Sequence, residues 1–271
     1  MTRRPTGAQP AATTVLGFKS ERVQRLRRLL RQPKARAEEG VFVVEGPKLI
    51  AAAVDSGAVV EAIYVAPGVA HDVVDQANDN ALPVFSLAPG VAERVTDTVT
   101  SQGSLAVCRR VDVPLERLRS ASLIVVAVGI QDPGNLGTIL RGAGAVEEAG
   151  VICCIGTVDL YNPKCLRASA GSLFRQSVVA RGDPVEVLER LGEWGVQRLA
   201  TIPAGGVAYD TCDLVRPTAL VLGNESRGLG PEVLRHVDVT ATIPTSNGTE
   251  SLNVAMASTV ICFESARQRR Q

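Results

Sequence analysis

Arg141, Glu225 and Asn253 are the side chains best placed for chemistry, each lying shortly after an apolar run of strand character. Arg141 ends the stretch Asp132-Pro133-Gly134-Asn135-Leu136-Gly137-Thr138-Ile139-Leu140-Arg141. Glu225 belongs to Gly223-Asn224-Glu225-Ser226-Arg227-Gly228-Leu229, and Asn253 to a third stretch that begins at Ile243-Pro244 and ends at Ser251-Leu252-Asn253-Val254. Ligands of α/β sheets bind beyond the carboxyl ends of the strands, so three polar loops at such ends point to one site. A guanidinium stays protonated at neutral pH, so Arg141 is suited to holding an anion or stabilising negative charge. Glu225, just beyond a buried strand, can accept hydrogen bonds from a ribose or orient a base. It can equally sit in an ordinary turn in which Asn224 is left-handed. Asn253 needs a partner if buried, since an unmatched amide costs about 1–3 kcal/mol, and a structural role in tying down its loop satisfies that need.

The elements that must position these groups alternate along the second half. Strands are expected at 123–128, 151–155, 177–180, 198–202, 219–222 and 240–243, with helices at 136–149, 163–170, 184–191, 231–236 and 252–267. This is the pattern of a parallel sheet covered on both faces. Asn135 is expected to cap the first of these helices, whose apolar stripe is Leu136, Ile139, Ala143 and Val146. Arg141 points away from that stripe, towards substrate, a partner subunit or solvent. Gly142-Ala143-Gly144 falls within the helix instead of at a strand-to-helix turn, which excludes a dinucleotide fingerprint. The last helix is apolar on nearly every side until Glu264 and reads as buried. Strands at 41–46, 59–65, 82–86 and 104–108, with helices between them, make a smaller α/β unit. The expected domains are a flexible tail (1–17), an N-terminal domain (18–110), a linker (111–120) and a C-terminal domain (121–271).

The 271 residues are 45% hydrophobic but only 3% aromatic. The core must therefore be aliphatic, and binding of single strands on an aromatic platform is disfavoured. Net charge is +1, so no global field advertises nucleic acid. Locally, Lys19–Arg36 holds eight Lys/Arg against Glu21 alone. Arg25, Arg28 and Arg31 in this run are candidate phosphate contacts, with a solvated helical face as the plain alternative. Arg167 and Arg175, around Ser169-Ala170-Gly171-Ser172, are candidates of the same kind and fit structural ion pairs equally well. The six cysteines show neither CxxC nor Cys/His ligand spacing, and two histidines leave little room for a metal site. Buried reduced thiols and a cytoplasmic location are expected, with no membrane span.

Taken together, Asn135, Gly137 and Arg141, then Gly223-Asn224-Glu225, then Ile243-Pro244 with Ser251-Leu252-Asn253-Val254 resemble the three ordered motifs of the SpoU/TrmH family of RNA ribose 2′-O-methyltransferases, in the SPOUT superfamily. Ser226 and Thr245 are mild departures, standing where many members carry Gly and Met. The resemblance implies an α/β parallel sheet with a C-terminal deep trefoil knot, a small N-terminal ribosomal-protein-like domain that binds substrate, and a homodimer. It implies S-adenosylmethionine held at Leu222, Gly223, Ile243, Ser251 and Leu252. It also implies a catalytic neighbourhood of Asn135, Arg141, Glu225 and Asn253, with no metal. The expected substrate is RNA, ribosomal more than transfer RNA. A non-catalytic RNA-binding or ribosome-assembly protein that keeps the knot is the other reading.

Overall fold

The computed structural model describes residues 15–69, 71–96, 101–146, 149–246 and 251–271. The described chain divides into two compact units. One runs to Arg109, apart from Asp55–Ala58, and the other is Arg110–Gln271 with Asp55–Ala58.

The first unit contains α1 (Glu21–Arg31), α2 (Pro33–Glu39), β1 (Val41–Glu45), α3 (Pro47–Asp55), β2 (Val60–Val65), α4 (His71–Asp79), β3 (Val84–Ser86), α5 (Val91–Thr96) and β4 (Ser104–Arg109). Its sheet order is β1-β4-β2-β3. It is mixed, since β4 runs antiparallel to both β1 and β2 while β2 and β3 are parallel. Val23, Leu26, Leu29 and Leu30 form the inward stripe of α1, packed on Val41, Val43 and Leu105. Residues 1–14 of the expected tail lie outside the described residues. Leu16 is anchored, its N–H donating to Ser86 O (2.7 Å) while its carbonyl accepts from Ala88 N (2.9 Å), so ordered backbone begins before the expected end of the tail.

The second unit contains β5 (Leu123–Ala127), α6 (Pro133–Ala143), β6 (Ala149–Cys154), α7 (Pro163–Ser169), β7 (Ser177–Gly182), α8 (Pro184–Glu193), β8 (Gln197–Thr201), β9 (Val207–Ala208), β10 (Thr218–Leu222), α9 (Pro231–Leu234), β11 (Val239–Thr242) and α10 (Val254–Arg269). Its seven strands run in the order β7-β6-β5-β10-β8-β11-β9, every pair parallel. β5 and β10 are buried at all five positions, as strands covered on both faces must be. Ile124, Val126, Ala219 and Val221 turn to Val187, Leu188, Leu191 and Val233 of α8 and α9. α6 and α10 pack on β5 and on each other. The segment expected as a linker is built into this unit, with Val113 N–H donating to Val178 O (2.9 Å) and Leu118 in the core.

Three local expectations change. α6 begins at Pro133 and ends at Ala143, because Asp132, and not Asn135, caps it by accepting from Asn135 N (2.9 Å). α10 starts after Asn253, which is its cap and not part of its first turn. That helix is also not buried all round. Ala255, Ser258, Ile261, Cys262 and Ser265 face inward, while Met256 is 57% and Phe263 49% exposed.

A hydrogen-bonded candidate active site at the strand ends

β5 and β10 are neighbours in register, Ala127 opposite Leu222, so the loops that follow them open side by side. This adjacency brings Glu225 to the first turn of α6. Its carboxylate accepts from Asn135 Nδ2 (3.0 Å), Gln131 N (3.2 Å) and Asp132 N (3.3 Å). Asn135 in turn accepts from Asn253 Nδ2 (3.0 Å), and Asn253 Oδ1 caps α10 through Ala255 N (3.0 Å) and Met256 N (3.3 Å). Glu225, Asn135 and Asn253 therefore form one chain of hydrogen bonds joining the starts of two helices to the loop after β10. Each amide is used at both ends, which fixes its orientation.

Burial pushes the Glu225 carboxyl up, but the hydrogen bonds from Asn135, its own N–H, Gln131 and Asp132 outweigh it, leaving the group below the ordinary carboxylate value. Such a carboxylate is ionised at neutral pH and already engaged by donors, which suits positioning better than taking a proton. The Asn224 side chain closes the turn, accepting from Ser226 N (3.1 Å) and Arg227 N (3.0 Å) and donating to Gly129 O (2.7 Å). The left-handed residue of this turn is Gly228 (φ +68°), not Asn224. Gly223 has no room for a side chain, since a Cβ there would meet the Gly228 carbonyl carbon at 2.5 Å.

Beside this chain lies a cavity of about 820 Å³ lined by Gly223, Glu225, Ile243, Ser251, Leu252 and Asn253, among others. Leu222 does not line it. It is a fully buried strand residue whose carbonyl accepts from Val128 N (2.9 Å). Arg141 does not line it either. It is exposed, six residues beyond Asn135 on α6, or about 9 Å along the axis at 1.5 Å per residue. Arg167 and Arg175 are exposed on and after α7. Arg25 and Arg28 are engaged with acids, Arg25 with Glu39 (2.6 Å) and Glu61 (3.0 Å) and Arg28 with Glu39 (2.6 Å); Arg31, also not without a partner, is exposed at the end of α1. The turn at Asn247–Glu250 lies outside the described residues.

Sequence reasoning missed Thr201, Ile202 and Pro203, which line the same cavity at the end of β8, although an apolar strand ending in Ile-Pro is the signal noted at Ile243-Pro244. It also missed Asp132, whose second oxygen faces Lys164 Nζ (3.4 Å). Among the described residues no group of three or more His, Cys, Asp or Glu is placed to hold a metal ion. Burial pushes the Cys108, Cys154 and Cys262 thiols up to about 12, far from a reactive range at neutral pH.

Residues 20–106 match the MRM3-like substrate binding domain. A 23S rRNA (guanosine(2553)-2′-O)-methyltransferase, RlmP, of Bacillus subtilis is 32% identical over 86% of this chain and 92% of its own. The SpoU methyltransferase AviRb from Streptomyces viridochromogenes, solved in complex with AdoMet, superposes with a TM-score of 0.84 at 27% identity, covering 93% of this chain and 99% of its own. An rRNA methyltransferase from Sinorhizobium meliloti superposes with a TM-score of 0.83 at 30% identity, over 94% and 97% of the two chains. Residues 122–263, more than half of the molecule, match the family model, and the chain belongs to the SpoU rRNA methylase family.

Proposed function

We propose that this protein transfers a methyl group from S-adenosylmethionine to a ribose 2′-hydroxyl of RNA, and that the RNA is ribosomal. The observation that carries this reading is the meeting of Glu225, Asn135 and Asn253 at the mouth of the cavity lined by Gly223, Ile243, Ser251 and Leu252, in a member of this family. The cavity volume lies in the range of small-molecule sites. Its apolar walls, Ile202, Leu229, Leu234, Ile243 and Leu252, suit an adenine ring, and the polar loops suit a ribose and an amino-acid tail. Gly223, Ile243, Ser251 and Leu252 would hold the cofactor, with Leu222 supporting Gly223 from within β10.

When bound, S-adenosylmethionine supplies a methyl group already activated on a sulfonium. The remaining difficulty is the ribose hydroxyl, a weak nucleophile while it keeps its proton. Glu225, Asn135 and Asn253 orient the ribose and hold the loops that frame it. The Arg141 guanidinium stabilises the alkoxide that develops as the hydroxyl proton leaves to solvent water.

Residues 18–110 act as the RNA-binding domain, a role supported by the substrate-binding model that 20–106 match. The second unit, Arg110–Gln271 with Asp55–Ala58, is the catalytic domain, with the C-terminal segment threaded as a trefoil knot. Arg167 and Arg175 add phosphate contacts. The protein works as a homodimer in the cytoplasm. No described helix is long and apolar enough to cross a membrane.

Calorimetric titration with S-adenosylmethionine and mapping of ribose methylation in ribosomal RNA test the reading. Arg141→Ala should lower methylation about 100-fold or more while leaving cofactor affinity within a few-fold, the pattern of a group that acts on the transition state. A wild-type protein that binds no S-adenosylmethionine would overturn the function. Parental rates in Arg141→Ala would overturn only the role of that residue.

A further inference from the structure

Arginines of α1 separate into two sets that the sequence does not distinguish, and Arg94 of α5 joins one of them. Arg25 bridges Glu39 and Glu61, Arg28 pairs with Glu39, and Arg109 approaches Glu61 (3.7 Å), so each of these cations has an acidic partner within the unit. Burial pushes the Glu39 carboxyl up, yet the hydrogen bonds from Arg28 and Arg25 win and hold it below its ordinary value.

The other set is held on aromatic rings. The Arg27 and Arg94 guanidiniums lie over Phe18, at 5.7 and 4.1 Å from its centroid, and Arg22 lies over Phe85 at 4.3 Å. None of these three guanidiniums takes an ion pair or a hydrogen bond among the described residues, although the exposed Glu21 and Glu93 are chain neighbours of Arg22 and Arg94. The rings are well anchored. Phe85 stacks on the buried Tyr64 with centroids 5.4 Å apart, and Gln24 Nε2 donates to Phe18 O. The Leu16 bridge to Leu87 ties the strand carrying one ring to the segment carrying the other. Packing of α1 on α5 brings Arg27 and Arg94 to the same ring.

A guanidinium held over a ring keeps N–H groups available to a further partner. Two such cations on one ring repel each other until an anion arrives, and their fork geometry suits phosphate oxygens. We propose that Arg22, Arg27 and Arg94, held on Phe18 and Phe85, form the contact of the first unit with the RNA phosphate backbone, and that Arg25 and Arg28 serve as internal struts. This rests on the functional reading above and names the surface that engages its substrate. The rings are occupied by arginine, so the contact is with backbone and not with stacked bases, and it carries no sequence preference of its own.

The test measures binding of the full-length protein to deproteinised ribosomal RNA across a series of KCl concentrations. Each lost phosphate contact flattens the plot of log affinity against log salt by about 0.7–0.9. Arg22→Gln/Arg27→Gln/Arg94→Gln should flatten it by about 2 and weaken binding at least about 10-fold at 0.15 M salt. Arg25→Gln/Arg28→Gln should leave the slope at its parental value. Circular dichroism checks both folds, and the single exposed Arg94→Gln replaces the triple variant if that one unfolds, with an expected flattening of about 0.7–0.9. Any other pattern overturns the proposal, including equal flattening by both sets or none by the ring-held set. Titration of the same proteins with S-adenosylmethionine judges the functional reading separately, since cofactor binding does not depend on which arginines meet RNA.

Discussion

Asn135 spends both ends of its amide on the candidate site, donating to Glu225 and accepting from Asn253, and so couples a carboxylate to a helix cap. Asn135→Asp is the sharpest probe, because it removes the donor and sets a second carboxyl about 3 Å from Glu225, where both cannot ionise at little cost. One of the two pKa values must rise in the folded state. A raised carboxyl value means the folded variant binds a proton that the unfolded chain releases, so its stability recovers as pH falls. The parent behaves oppositely, since the depressed Glu225 contributes fully above about 4.5 and its contribution fades as pH drops through the lower folded value. Thermal melts from pH 8 to pH 5 should show the variant less stable by about 1–3 kcal/mol at the alkaline end and closer to the parent at the acid end. A deficit that is constant with pH would show that the two carboxyls do not interact. The sequence displayed all three side chains but not their meeting, which depends on β5 lying beside β10, a fact absent from local pattern. It also displayed two residues able to cap α6. Pro133 decides between them, because proline favours the first helical position and so marks Asp132 as the cap.

At the scale of elements, α6 is the pivot, gripped by α7 on one side and α10 on another. Its glycines make this possible. A Cβ on Gly137 would fall on the Cys165 carbonyl oxygen and within 2.5 Å of Ala168 Cβ, both fixed to α7. A Cβ on Gly142 would meet Thr259 Oγ1 at 2.8 Å, a side chain that can rotate away. Gly137→Ala should therefore cost about 1–3 kcal/mol through overpacking, more than Gly142→Ala, even though alanine is the better helix former. Gly17→Ala, with nothing within 4 Å and no positive φ, is the neutral control. Urea denaturation of the three variants checks the order, and a Gly137→Ala protein as stable as the control would mean the two helices can separate freely. The closeness of another element to α6 was legible in its run of small residues. Which helix lies against which glycine was not, because that follows from the crossovers between strands. The mixed sheet of the first unit was equally hidden, since a short buried strand looks alike in either direction.

At the scale of the whole molecule, α10 carries an apolar stripe that the described residues leave partly uncovered. Met256 and Phe263 are one heptad apart with the half-buried Val260 between them, so the three share one side of the helix. The opposite side holds Ala255, Ser258, Ile261, Cys262 and Ser265 and is buried. Sequence alone made this helix look buried on every side because it is apolar on every side, and a homodimer reconciles that composition with the exposed residues. If a second copy covers this stripe, burying Phe263 stabilises the pair by about 1.5–3 kcal/mol, and a carboxylate in its place would have to be desolvated against an apolar partner. Sedimentation at micromolar concentration should then give the parent twice the 28.5 kDa chain mass and Phe263→Glu the single mass, with circular dichroism unchanged. The substitution lies on the outer side of α10, away from the core, so unfolding is not expected to imitate dissociation. A parent that sediments as a monomer would remove the dimer from the proposal. A variant that remains dimeric would move the interface off α10 and leave Met256 and Phe263 to be covered by something else.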